Sequence, residues 1–113
     1  MKRVTPTATP IDPQLLDAPA FGAAIRAART SAGLSLADAA VALGLAKQTL
    51  SDLETANGSV GLPTALHVAR ELGVAVFGVP ASEREQLRRL IAQSRQLRDA
   101  STGAAGPGTN GTR

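Results

Sequence analysis

The chain has 113 residues, with 12 Lys plus Arg against 9 Asp plus Glu, a formal net charge of +3 and no Cys. That length supports one domain of roughly 60–100 ordered residues. Without Cys there is no disulfide framework, thiolate metal site or Cys nucleophile, and a single His, His67, excludes most zinc sites. Only Phe21 and Phe77 are aromatic, so base-stacking recognition of single strands is not expected. There is no run of about 18 apolar residues to span a membrane, and the N-terminus shows no apolar signal-peptide core, so a cytoplasmic protein is expected. The basic balance points weakly to an acidic partner, nucleic acid first.

Residues 1–18 carry Pro6, Pro10 and Pro13 among Thr and Ala, which predicts a disordered arm. A domain is expected over 19–80. Its first helix starts near Pro19 and places Phe21, Ile25, Ala28 and Ala32 at helical spacing. Gly33 is a natural left-handed stop. Ser35 opens a second helix, with Asp38 three residues on as a weak capping-box variant. Ala39, Ala40 and Leu43 share its inner face, and Gly44 ends it. A third helix is expected over 46–55 with Leu50 and Leu53 inward. Residues 56–61, ANGSVG, read as a loop, and a fourth helix over 62–72 carries Leu62, Leu66, Ala69 and Leu72.

After Gly73 the period changes. Val74, Val76, Phe77 and Val79 are β-branched or aromatic, which predicts a short strand. Ser82 and Glu85 form an S-x-x-E capping box for a fifth, amphipathic helix over 81–99. Leu87, Leu90, Ile91 and Leu97 share one face of it; Arg84, Arg88, Arg89, Arg95 and Arg98 crowd the rest. Residues 100–113 are Gly-rich and read as a flexible tail. The fold class expected is all-α: a four-to-five-helix domain with a short C-terminal strand and the additional helix.

The informative stretch is 35–54. Ala40, Gly44, Leu50 and Leu53 follow at offsets of four, six and three residues. Ala40 is small where the next helix crosses, Gly44 supplies a positive φ for the sharp turn, and the two leucines lock the second helix onto the first. Those are the requirements of a helix-turn-helix, whose second helix enters the major groove of DNA.

The pieces IRAAR (25–29), GLSLADAA (33–40), LGLAKQTLSDLE (43–54) and LHVARELGV (66–74) stand in order and at the right spacing. Through them the chain, over roughly 21–74, resembles the Xre/Cro/phage-repressor helix-turn-helix family. The resemblance implies a structural ion pair between Arg29 of helix 1 and Glu54 at the end of helix 3; direct contact of Arg29 with phosphate is the alternative. It implies a DNA-binding face of Lys47, Gln48 and Asp52, with Thr49 and Ser51 reaching phosphate. Lys donates to guanine O6/N7, Gln brackets adenine N6/N7, and Asp accepts from cytosine N4. Asn57, Gly58 and Ser59 match a loop that often meets phosphate. Lys47 and Gln48 also read as ordinary solvated residues. For Asp52 a local or selectivity role stands beside the base contact, since phosphates repel it.

There are departures from the family pattern. Leu36 stands where Gln often touches DNA, and Ala46 where Ser or Thr usually caps helix 3. Ala39 replaces a larger apolar residue, so a thin core is expected. Val41 and Ala42 are apolar where polar residues are common, which allows a partner-facing surface.

One helix-turn-helix touches few bases, so a homodimer on a double-stranded DNA operator is expected. Val74, Val76, Phe77, Val79, Leu87 and Leu90 are its candidate interface, through pairing of the lone strand with its copy. The ending "LGV" plus an apolar strand is similar to HipB-type antitoxins, which implies as an alternative that the dimer autoregulates its operon and neutralises a HipA-like kinase toxin. No cofactor or metal is expected. Neither is enzymatic activity: His67 has no paired nucleophile or ligand, and Glu83 and Glu85, two apart on a helix, do not face each other. Residues 20–80 balance four cations against four anions, and 1–19 balance two against two; the whole +3 lies in 81–113.

Overall fold

In the computed structural model, which describes residues 3–10 and 12–100, several helix boundaries have a local cause. Helix α1, Ala18–Ser31, starts where Asp17 Oδ1 accepts the Ala20 amide at 2.9 Å, with Pro19 in the first turn. Ser35 caps α2, Leu36–Leu43, by accepting the Asp38 amide at 3.1 Å. Gly44 then takes φ 71°, a left-handed value that a side chain resists, and the chain turns into α3, Lys47–Thr55. Helix α4, Leu62–Glu71, carries Pro63 in its first turn. A 3₁₀ turn, Ala81–Glu83, precedes α5, Arg84–Asp99.

Helices α1, α2 and α4 end in one way. The amide two or three residues past the helix returns to a carbonyl five residues back: Leu34 to Arg29, Leu45 to Ala40, and Val74 to Ala69. The apolar residue after the glycine then folds onto the core, as Leu34, Leu45 and Val74 all do. Helix α3 makes the same closure, Asn57 to Asp52 at 3.0 Å, but with Ala56 at φ 58° where the others have glycine.

The core gathers Ile25, Ala39, Ala40, Leu50, Leu53, Ala65, Val68 and Ala69. Five of the nine buried apolar residues among those described are alanine, so the helices must approach closely to exclude space. One close approach is at Gly22 in α1, a position that no expectation from the sequence singled out. A Cβ built there falls 2.5 Å from the backbone oxygens of both Leu53 and Glu54 in α3. Leu53 and Glu54 thus lie directly against α1.

The arm before α1 has no regular structure among its described residues, yet it is tied to the domain. The Thr7 amide donates to Thr30 Oγ1 at 2.9 Å, and Thr30 is buried. Ala32, placed at helical spacing with Phe21, Ile25 and Ala28, lies just past α1 and is exposed; on α1 Gly22, Ala27 and Thr30 are buried.

Two expectations fail. No strand forms over 74–79, which has no regular structure, and none occurs among the described residues, whose regular elements are all helical. The physical reason is that β-branched residues alone cannot supply a ladder partner. Val74 is used instead as the apolar plug closing α4, while Val76, Phe77 and Val79 are exposed. The Ser82–Glu85 capping box does not form either. Ser82 lies inside the 3₁₀ turn, and α5 begins at Arg84 after Glu83, with no side-chain cap.

The chain divides into two compact units, Met1–Phe77 and Gly78–Arg113. The first holds α1 to α4 and the core; the second holds α5, none of whose residues is buried. On α5, Arg88 pairs with Glu85 at 2.9 Å across one turn. The tail expected at 100–113 lies, apart from Ala100, outside the described residues.

Candidate nucleic-acid interface

Helix α3 has a buried side and a displayed side. Leu50 and Leu53 are buried on α1 and α2. Lys47 and Gln48 at its start are exposed, and Thr49, Ser51 and Asp52 are half-buried. Asn57, Gly58 and Ser59 follow in an exposed loop. These eight residues therefore fall on or beside one helix whose other side is fixed. Ala46, as its residue type implies, offers no side-chain cap to the first turn.

What fixes α3 is a buried ion pair. Arg29 Nε lies 2.5 Å from Glu54 Oε2, and Nη2 lies 2.9 Å from Oε1, a two-pronged contact between α1 and the last turn of α3. The Arg29 Nη1 also donates to the Leu34 carbonyl at 2.8 Å, which ties the turn after α1 to the same centre. The side chains are 9% and 4% exposed, so this guanidinium faces the interior and not a phosphate. The third prong, to Leu34, had no signal in the sequence because it depends on how the chain turns after α1.

On the displayed side one contact stands out. Gln48 Nε2 donates to Asp52 Oδ1 at 2.8 Å, one helical turn apart. Thr55 Oγ1 donates to the Ser51 carbonyl at 2.8 Å, which keeps that hydroxyl on its own helix. Gly58, at φ 78°, brings the loop back towards Asp52: a Cβ on it would lie 3.7 Å from Oδ2.

The residues expected at a subunit interface are divided between the two units. Val74 packs on the core of its own unit. Val76, Phe77, Val79 and Leu90 are exposed, Phe77 by 75%, and Leu87 is half-buried. A shallow apolar depression on the first unit is lined by Leu66, Ala69, Val74 and Val76. His67 is half-buried on α4, and no group of His, Asp or Glu among the described residues is arranged to hold a metal. No helix among them is long and apolar enough to cross a membrane.

Residues 20–87 match the model of a family described as a helix-turn-helix domain. The chain belongs to that family. The match runs from the first turn of α1 through α4 and into the start of α5. In this helix-turn-helix protein α2 and α3, joined by the sharp turn at Gly44, have the arrangement of such a motif. No curated protein matches the chain.

Proposed function

We propose that this helix-turn-helix protein is a sequence-specific, double-stranded-DNA-binding transcriptional regulator, a repressor that acts as a homodimer and is not an enzyme. One observation carries the reading: Lys47 and Gln48 are displayed at the start of a helix that Leu50, Leu53 and the Arg29–Glu54 pair hold from behind. In the groove, Lys47 donates to guanine O6/N7 and Gln48 brackets adenine. Thr49, Ser51, Asn57 and Ser59 reach phosphate and set the register. Net charge does not argue for this reading, since residues 20–80 are neutral overall. The homodimer is supported by the small footprint of one motif and by the exposed Val76, Phe77, Val79 and Leu90.

The test is selection of bound sites from a pool of randomised duplexes at a fixed salt concentration, because affinity depends steeply on salt. A two-fold repeated half-site and a dimer in sedimentation equilibrium are expected. The double variant Lys47→Ala, Gln48→Ala should lose about 1–3 kcal/mol per base contact on the selected site. Undiminished specific binding by that variant overturns the assignment of the reading face.

One observation favours a second reading. Val41 on α2 is 81% exposed, an apolar side chain on the unit that holds the motif. An antitoxin of the HipB type, which binds a kinase toxin and represses its own operon, would use such a surface. Co-purification with the product of an adjacent kinase-like gene, lost on Val41→Asp, supports it; failure to form any such complex rejects it.

A further inference from the structure

The Gln48–Asp52 contact bears on which base α3 selects, a question that presupposes the proposed DNA-reading function. The two residues are four apart, so their side chains share one face of α3. A carboxylate can only accept, so the hydrogen bond from Gln48 Nε2 to Asp52 Oδ1 settles which end of the amide faces Asp52. An amide flipped by half a turn would set Oε1 against the carboxylate and be repelled. One N–H of Gln48 is thereby engaged. The other N–H and Oε1 remain.

That leaves one donor and one acceptor in the amide plane. Adenine offers the complement in the major groove: N7 accepts and N6–H donates. Guanine offers two acceptors, N7 and O6, and calls for two donors. A Gln48 without its partner has both N–H groups to give and rotates freely to give them. Asp52 removes that option, and its charge on the same face opposes a double-acceptor edge.

We propose that Asp52 is a positioning residue that orients Gln48 for adenine and sets its discrimination against guanine, acting through Gln48 and not on a base.

The experiment uses the full chain and a pool of duplexes randomised over about two turns of DNA, at one salt concentration. Gln48→Ala first locates the base pair that Gln48 reads, as the position whose preference disappears. In Asp52→Ala the adenine-to-guanine ratio at that base pair should fall about tenfold, within the range for one bidentate contact, with other positions unchanged. Asp52→Asn should restore most of the ratio, because its amide carbonyl still accepts from Gln48 without the charge. Thermal melts of each variant establish that all are folded. Three results overturn the proposal: an unchanged ratio in Asp52→Ala, a lost preference at a different base pair, or a uniform gain in affinity for every duplex with no change in ratio. If the unaltered chain selects no sequence at all, it is the DNA-reading function that fails, and the role of Asp52 falls with it.

Discussion

Gly22 gives the sharpest test of how α3 is held. Replacing it with Ala adds one carbon, 2.5 Å from the Leu53 and Glu54 carbonyl oxygens and 2.8 Å from the Glu54 carbonyl carbon. Two effects oppose each other. In a helix interior Ala is better than Gly by about 1 kcal/mol. Overpacking costs about 1–3 kcal/mol, and the upper part of that range applies where the obstructing atoms are backbone and cannot rotate away. The expected net result is a loss of about 1–2 kcal/mol, or roughly 4–16 °C in Tm for a domain of this size. Ala23, the next residue, is exposed on the same helix, so Ala23→Gly should also destabilise, by about 1 kcal/mol from propensity alone. Neighbouring positions should therefore prefer opposite residues. Urea unfolding of both variants, followed by far-ultraviolet circular dichroism, measures this through the midpoint at constant slope. A Gly22→Ala variant as stable as the parent would refute the close approach of α1 and α3.

Arg29→Ala leaves Glu54 buried and unpaired and should cost about 3–5 kcal/mol, whereas Arg29→Met with Glu54→Leu should recover much of that loss. A single-variant cost under about 1 kcal/mol in the same unfolding assay would mean that the pair is solvated. Ala56 occupies a left-handed conformation that costs a non-glycine residue about 1–2 kcal/mol, and Ala56→Gly relieves it against a smaller entropic loss of about 0.4–1 kcal/mol. A rise in Tm is expected, and an unchanged or lowered Tm would show that the strain is absent.

The helices were legible because each carries a local signal. Pro19, Ser35, Gly44 and the leucine spacing of α3 place α1 to α4 within a residue or so of where they lie. The stretch 74–79 misleads for a physical reason. Apolar β-branched residues after a glycine satisfy the pattern of a strand, but they equally satisfy that of a helix closure, where the residue after glycine plugs the core. Val74 takes the second role, and its amide bonds Ala69 at 2.7 Å. Only the position of α4 relative to the core decides between the two. Gly22 was invisible for a related reason. A glycine inside a helical pattern costs stability unless something crosses close by, which is the one hint the sequence carried. The Gln48–Asp52 bond was half legible: the spacing places the two on one face, but their rotamers decide whether they meet.

These features share a direction. Helix α3 is nine residues long, starts without a side-chain cap and ends on an alanine in a glycine conformation. A helix so short is marginal on its own in water. Its order therefore comes from outside: Leu50 and Leu53 in the core, the Gly22 contact, and Arg29 gripping Glu54. All but Leu50 act on its second half, from Leu53 onward, while Lys47, Gln48 and Asp52 are displayed earlier. Loosening Gly22 or Arg29 should thus weaken DNA selection as well as stability, although neither residue faces the groove. Substitutions at Lys47 or Gln48 should do the opposite, costing selection while leaving the unfolding midpoint almost unmoved. Measuring both quantities on one set of variants separates residues that hold the reading helix from residues that read.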